Sequence, residues 1–584
     1  MEVTERKMKP AYPDYNTMFS RWSKEISPWI NELFLALMHN KRKEVCEKIT
    51  GEKISELLEM DDSEQKVYDM YGISVMLTAL NRHCQAKEIL LKLSEIVPSG
   101  ELYADISVCS HGTREVIDRL KYIKKAAEYL PDNAGIQAMV GSSLIAVNKI
   151  DEGLDVVSKA IEKKPENAEM FSNYLFALHY KQKYDCDKMF REHRRWAYRH
   201  AARDLEIKDH KNNPDPARKI RIGYISPDFR IHPVGFLIRP IMEFHNRADV
   251  EVFAYGKVSL DDSITRQIRN AADHYRGINN FSEEKTVKTI LEDEIDILVD
   301  LAGHTGENCL KILAHKPAPV QATYLGYFDT TGMEQVDYFL TDSQMAPPVT
   351  QKYHTEELIY FPQTCFCYNL PDTPRRFDIV ESPALQNGYV TFGMFSNPAK
   401  INPVIMSLWA KVINNVPGSR LEMIIDDGEN DQVRDIYLKK FEEAGVSSGR
   451  VNLRGKKGYG DYLEEYNKVD IMFDTFPYCG GATTCDAFWM GVPVISLVGE
   501  HHFSRVGMSL LSAVGLEYFA CRDADEYVAK ATVLASKPEA LNKIRFQLRR
   551  RMTASDMCNP QKQAKNMEDA YRKMWLKWCE KKQL

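Results

Sequence analysis

DTFPYCGGATTCDAFWMGVPVISLVG, residues 474–499, is the stretch from which the fold can be read. A strand-like run, IMFDTF, ends at Pro477. A loop of small and polar residues follows, then a helical stretch that stops at Gly491-Val492-Pro493, where a second strand-like run begins. Strand, short loop, helix and strand make the βαβ unit of a parallel sheet. The loop opens its helix with Gly480-Gly481-Ala482-Thr483-Thr484. The first amides of a helix have no internal partner and sit at the positive end of its dipole. With no bulky side chain at 480–482, a phosphate can approach them, and Thr483 or Thr484 can add a hydroxyl. The same residues are also compatible with a plain tight turn capped by a threonine. The loop is not of the Walker kind, because GxxxxGK[ST] is absent.

Outward from this unit the alternation continues. YVTFGMFS (389–396), a helix over 403–416, RLEMIID (420–426), a helix over 432–444, VNLRG (451–455) and DIMFDTF (470–476) precede it, and a helical tail follows beyond 505. VTFGMFSNPAKINP (390–403) is again strand, loop and helix, with Lys400 just before a proline-started helix. An ammonium there would face the same strand ends as the 480–484 loop, and two such sites suit a diphosphate; a lone lysine can equally be a surface charge. PDTPRRFDIVESP (371–383) is a break. Before it KIRIGYIS (219–226), EVFAYGKV (251–258), IDILVDLAG (295–303), VQATYLG (320–326) and ELIYFP (357–362) read as strands with helices between several of them. Two α/β halves with a linker make a cleft, and ligands bind outside the carboxyl ends of such strands. His232 in ISPDFRIHPVGF and His304 in LVDLAGHTGEN each follow a strand, so each is expected to face the cleft. Imidazole is the side chain best matched to proton transfer near neutral pH, although either ring can also be a structural loop residue.

HKNNPDPARK (210–219) breaks a region that reads as helices only, from about 21 to 205. PDN at 131–133 recurs as PEN at 165–167, the period of about 34 residues that marks tetratricopeptide-like repeats. In that register Gly141 lies where the first helix of a repeat must be thin, and Gly153 and Ala160 lie where the second packs against it. Pro98 hints at an earlier copy, so residues 60–200 read as three to four degenerate repeats, with a plain helical bundle as the alternative. The expected organisation is a leader over 1–20, a helical-repeat domain over 21–210, a first α/β lobe over 219–380 and a second over 385–584 that includes the helical tail.

At 584 residues the chain is too long for one core. Net charge is −6, so no global basic field argues for nucleic acid, and Arg549-Arg550-Arg551 reads as a solvated helix face. No apolar run is long enough to span a membrane, and the N-terminus has no signal-peptide core. The 12 cysteines are scattered without a CxxC pair, and Cys365 and Cys367 are expected on opposite faces of a strand. A reducing, cytoplasmic setting fits, with no zinc site and no disulfide framework.

Several motifs stand in an order that resembles family 41 glycosyltransferases, the nucleocytoplasmic O-GlcNAc transferases and their bacterial relatives, and is also similar to the Spindly-type protein O-fucosyltransferases of plants. They are RIGYISPDFRIHPVGF, DLAGHTGEN, KPAPVQATYLGYFDTTGMEQVDYFLTD, FSNPAKINP, the opening stretch and SRVGMSLL, spanning 219 to about 515. The resemblance implies an α/β GT-B fold with two Rossmann-like lobes behind an all-α tetratricopeptide-like domain. It implies a sugar nucleotide as co-substrate, no other cofactor, and inverting, metal-independent transfer to Ser or Thr of a protein or peptide acceptor held by the repeats. UDP-GlcNAc is the leading donor. GDP-fucose, UDP-glucose onto asparagine, and a repeat-based binding protein without activity are the alternatives. No paired-aspartate loop of the DxD kind is expected to hold a cation, so Lys400 and the amides of 481–483 are expected to neutralise the leaving diphosphate.

By position, Lys400 matches the family's phosphate lysine, Asn397 a neighbouring residue of that loop, Thr483 the phosphate-binding threonine and Asp486 an acid that binds ribose. Tyr462 lies where a ring stands against the base. His232 matches the histidine proposed near the reacting sugar or as base, and His304 lies in the Gly-His-Thr loop of plant and bacterial members. Two departures stand out. The usual Gly-His-Thr before the helix is here Gly480-Gly481-Ala482. Tyr459 and Glu465 align where the animal enzymes use lysine near ribose and arginine near uracil.

Overall fold

A computed structural model of the protein describes residues 26–39, 41–61, 63–201, 205–370 and 375–583. The expected leader over 1–20 lies outside them. The chain divides into two compact units, Met1–Lys163 and Lys164–Leu584.

The described part of the first unit is built of helices. Those of its later part pair as the period predicts: Gly100–Gly112 with Val116–Tyr129, and Ala134–Ala146 with Ile150–Lys163. Each pair opens on a cap. Ser99 accepts from the Leu102 amide at 3.2 Å and Asn133 from Ile136 at 3.1 Å, and Asn167 repeats the device one period later with Met170 at 2.9 Å. Gly141 and Gly153 are the point of closest approach. A Cβ on Gly153 would sit 2.5 Å from the Gly141 carbonyl oxygen, and one on Gly141 would sit 2.7 Å from the Gly153 oxygen. Gly153→Val should therefore destabilise this unit by about 1–3 kcal/mol in urea unfolding, the usual result of overpacking against a backbone. Exposed Lys159→Ala on the same helix should change it by less than about 0.5 kcal/mol.

The second unit begins with one more helix pair, Ala168–Leu178 and Cys186–His200. The sequence places a domain border near 210, but this pair belongs with the α/β body, held to it by buried hydrogen bonds described below. Two parallel sheets follow. The first contains β1 (Ile220–Ser226), β2 (Val250–Gly256), β3 (His274–Gly277), β4 (Ile297–Asp300), β5 (Val320–Tyr324), β6 (Tyr338–Asp342) and β7 (Glu357–Phe361), in the order β3-β2-β1-β4-β5-β6-β7. The second contains β8 (Thr391–Met394), β9 (Arg420–Ile425), β10 (Val451–Gly455), β11 (Ile471–Phe473), β12 (Val494–Leu497) and β13 (Ala520–Cys521), in the order β10-β9-β8-β11-β12-β13. Ile222 of β1 lies between Val252 of β2 and Ile297 of β4. Helices cover both faces of each sheet, so strands such as IMF of β11 are apolar without alternation and fully buried.

Both sheets are Rossmann-like, and each reverses its winding once, between β1 and β4 in the first and between β8 and β11 in the second. In open parallel sheets of this kind ligands bind outside the carboxyl ends of the strands where the winding reverses. The loops there carry His232, His304, Lys400 and the glycines of 480–481.

Three details differ from the sequence reading. β3, β6 and β13 are additional strands, the last inside the tail that the sequence reads as helical throughout. Cys365 and Cys367 lie in an irregular segment, not a strand, and two residues apart in a strand would share a face, not oppose; all twelve cysteines are free. The tail helix Pro560–Gln583 packs on the first lobe, not on the second that precedes it. The Tyr571 hydroxyl donates to that of Tyr224 on β1 (2.8 Å), and Glu568 meets His245 Nδ1 at 2.9 Å.

Candidate active site

The loop after β11 is shaped by Asp474. Its Oδ1 accepts from the amides of Thr475 (2.8 Å) and Gly480 (2.7 Å), and its Oδ2 accepts from the Ser496 hydroxyl (2.5 Å). Burial raises its pKa, which these donors and Lys400 oppose. The loop curls so tightly that a Cβ on Gly480 would sit 2.8 Å from the hydroxyls of both Thr483 and Thr484. The helix Ala482–Trp489 starts there, capped by Gly481 without a side-chain bond. Its first hydrogen bonds are made by Thr484 and Cys485 to the Gly481 oxygen. Among the described residues, the amides of Gly481, Ala482 and Thr483 therefore have no acceptor.

Lys400 ends the short turn Pro398–Lys400 after β8, whose first residue is capped by Asn397 accepting from the Ala399 amide at 2.9 Å. Its ammonium lies 2.9 Å from the Cys479 carbonyl oxygen and 4.2 Å from the centre of the Tyr478 ring. The structure thus brings the lysine and the glycine loop together at adjacent strand ends. Burial lowers the Lys400 pKa to about 8.

Asp486 lies one helical turn beyond the free amides and is buried. Its Oδ1 accepts from the hydroxyls of Tyr368 (2.8 Å) and Tyr459 (2.9 Å), and burial raises its pKa to about 6. The Tyr459 ring packs on Phe236 of the first lobe, centroids 5.7 Å apart, so the two lobes meet beside Asp486. Tyr462 lies one turn along the helix Tyr459–Glu465 and shares its hydroxyl with Tyr466 (2.7 Å), which donates to the Thr483 carbonyl (3.0 Å). Glu465 is held between Lys457 and Lys468, each at 2.8 Å.

His232 is the N-cap of Pro233–Phe244. Its Nδ1 is shared by two neighbours, the Val234 amide at 3.3 Å and the Asp228 carboxylate at 3.6 Å. With Val234 donating, the ring proton is on Nε2. With Nδ1 protonated toward Asp228, the Nε2 lone pair is free. Burial depresses the pKa of the half-exposed ring, which Asp228 partly offsets.

His304 does not face the cleft. It is fully buried, its Nε2 donating to the Thr331 carbonyl (2.9 Å) and its Nδ1 accepting from the Ser172 hydroxyl (3.0 Å). Both nitrogens are occupied, and the ring packs on Trp196. The loop itself is fixed by Asp300, which accepts from the Gly303 amide at 2.7 Å. The helix pair at the start of this unit covers the end of β4, which places the imidazole in a core.

Two literal Asp-x-Asp runs do occur, correcting the sequence reading. Both are helix caps: Asp185 accepts from Lys188 at 3.0 Å and Asp523 from Glu526 at 2.8 Å. Tyr368 and Phe236 are neighbours of the site that the sequence did not single out. Tyr368 sits in irregular chain far from Asp486 in sequence, and nothing local signals the contact.

A family model described as Glycosyl transferase family 41 matches residues 200–375 and 379–567. The chain is 39% identical over 420 residues to the "Probable UDP-N-acetylglucosamine--peptide N-acetylglucosaminyltransferase SPINDLY" of Arabidopsis thaliana, a match covering 71% of this chain and 46% of that protein. It is 30% identical over 375 residues to the SEC protein of the same plant, covering 62% of this chain and 38% of that one. The chain spans about half the length of the curated relatives it matches, or less. A mutant O-GlcNAc transferase of Thermobaculum terrenum superposes with a TM-score of 0.83 at 29% identity, covering 88% of this chain and 98% of that one. With two Rossmann-like lobes in the GT-B arrangement and the family model matched along both, the chain belongs to glycosyl transferase family 41.

Proposed function

We propose that the protein is an inverting, metal-independent O-glycosyltransferase that moves GlcNAc from UDP-GlcNAc to Ser or Thr hydroxyls of protein acceptors. The observation that carries this reading is the cradle at the end of β11, where three unpaired amides open a helix and the Lys400 ammonium lies 2.9 Å from the carbonyl oxygen of Cys479, two residues before them. Such a cradle suits the diphosphate of a sugar nucleotide, whose charge grows as it leaves. The acceptor hydroxyl attacks the anomeric carbon, and the bond from that carbon to the diphosphate oxygen breaks with its electron pair on the oxygen. His232, in its Asp228-paired tautomer, or a group on the acceptor side takes the proton. Thr483 and Thr484 add hydroxyls at the phosphates. Asp486 takes a ribose hydroxyl, Tyr462 lies against the base, and Asn397 shapes the lysine turn. His304 acts by holding the helix pair on the first lobe. The helical repeats hold the acceptor chain. A cytoplasmic setting agrees with the twelve free cysteines.

A second reading changes the donor to GDP-fucose. It is favoured by Glu465, a carboxylate where the animal enzymes carry arginine, because a carboxylate suits a base that offers N–H donors, as guanine does. Incubation of acceptor proteins with single donors, followed by intact-mass measurement, separates the two. The first reading expects the increment of an N-acetylhexosamine from UDP-GlcNAc; a deoxyhexose from GDP-fucose alone would replace it with the second.

The pH profile follows from the two perturbed groups. The charged form of Lys400 is lost as pH rises through about 8, and the charged form of Asp486 as pH falls through about 6. Donor kcat/KM should therefore be bell-shaped between those limits, since it reports the free enzyme. Lys400→Arg should remove the alkaline limb, because guanidinium stays protonated.

A further inference from the structure

Behind the phosphate loop lies a cluster of buried histidines that the proposed reaction does not use. The helices Ala168–Leu178 and Cys186–His200 bring His193 and, just past the end of the first, His179 to Asp329, which follows β5; the segment after β12 brings His501. None of the four is more than 1% exposed. One ligand atom each of His179, His193 and Asp329 lie within 4.8 Å of one another, and His501 Nε2 is 3.6 Å from Asp329 Oδ1.

The tautomers are set by the other ring nitrogens. His179 Nδ1 lies 3.0 Å from the Phe176 carbonyl oxygen, and His193 Nδ1 lies 2.7 Å from that of Met189. A carbonyl only accepts, so each Nδ1 carries its proton and a neutral ring presents its Nε2 lone pair to the cluster. Metal-bound histidines make this second bond almost without exception. His179 Nε2 then meets Asp329 Oδ2 at 3.0 Å. A lone pair and a carboxylate at that distance need a cation between them, either a proton or a metal ion. His501 adds an independent sign. Both of its ring nitrogens are buried without a hydrogen-bond partner.

We propose that His179, His193, Asp329 and His501 bind one late first-row divalent metal ion, with zinc the best match to three imidazole nitrogens and one carboxylate oxygen in a tetrahedral array. Binding needs the side chains to draw in, His501 most of all because it lies outside the 4.8 Å group, and it displaces the Tyr327 hydroxyl that now donates to His193 Nε2 at 2.7 Å. The ion would tie the helix pair and both lobes together. It would also stiffen the wall of the phosphate loop. The His179 ring packs on Tyr478 (5.7 Å between centroids), the ring over which Lys400 lies. The four ligands come from four distant segments, so no spacing motif shows them in the sequence. The inference stands on this geometry and not on the transferase reading.

The test uses tag-free full-length protein stripped with a chelator and titrated with Zn²⁺ or Co²⁺ alone, without donor sugar. One equivalent of zinc per chain, a rise in Tm, and the visible bands of tetrahedral cobalt are expected. His501→Phe and His193→Gln should each abolish all three. Tyr327→Phe should bind zinc more tightly, because the competing hydroxyl is gone; a merely structural cluster would not behave so. The cobalt spectrum of the unmodified protein decides the matter even if a variant fails to fold. No stoichiometric binding and no tetrahedral bands would overturn the proposal and leave His179 and Asp329 bridged by a proton. Undiminished binding in both ligand variants would overturn it equally.

Discussion

Lys400→Ala should lower the rate of sugar transfer by about a hundredfold or more. A hundredfold is about 2.7 kcal/mol, the low end of what one preorganised donor to a developing negative charge contributes. The expectation rests on where the ammonium sits. It is half-buried beside the Cys479 carbonyl and over the Tyr478 ring, two residues before the three free amides. There it needs no reorganisation when the diphosphate leaves. Its charge is most valuable as the anomeric bond breaks, so the loss should fall mainly on kcat and less on donor KM. The variant should fold normally, because alanine removes a half-buried charge and leaves no unpaired side-chain group in its place. Initial rates with saturating donor, beside a thermal melt, check both parts. A rate within threefold of the parent at an unchanged Tm would remove Lys400 from the mechanism.

His232 calls for two substitutions, because its ring has two duties. As N-cap of Pro233–Phe244 it accepts from the Val234 amide, and as partner of Asp228 it can take a proton. His232→Ala removes both, and should cost about 1 kcal/mol of stability for the lost cap together with about a hundredfold or more in turnover. His232→Asn keeps a good cap and removes the imidazole. It should restore the melting temperature and leave turnover as low as in the alanine variant. Turnover in His232→Asn close to the parent would reduce this residue to a helix cap and move the base to the acceptor side.

The strand-loop-helix punctuation of 390–403 and 474–489 was legible because glycine, proline and small residues mark backbone turns wherever they fall. It located Lys400 and the free amides together. The same punctuation surrounds His232 and His304, and it treated them alike. What separates them is the helix pair 168–200, which covers one strand end and not the other, and no local pattern reports what lands on a loop from elsewhere in the chain. Asp474 stands in the opening stretch, yet it is held in place by Ser496 on β12, a contact no local pattern reports. Tyr368 meets Asp486 from a segment without periodicity. β3, HYRG, is a half-exposed edge strand, so its four residues lack the apolar run by which a covered strand is known. The repeats were visible through their period, and Gly141 and Gly153 through the thinness that two touching helices require.

The helix Pro560–Gln583 has a bearing on how the protein is made. Tyr571 reaches Tyr224 across 347 residues of chain, and Glu568 closes on His245 nearby. A ribosome therefore releases β1 and its neighbours long before their last partner exists. Until then Tyr224 and His245 have each other but lack the tail. Domains made early in synthesis usually settle before the next emerges; here the first lobe has to wait for a segment made more than three hundred residues later, and its uncovered face is one that chaperones would be expected to guard.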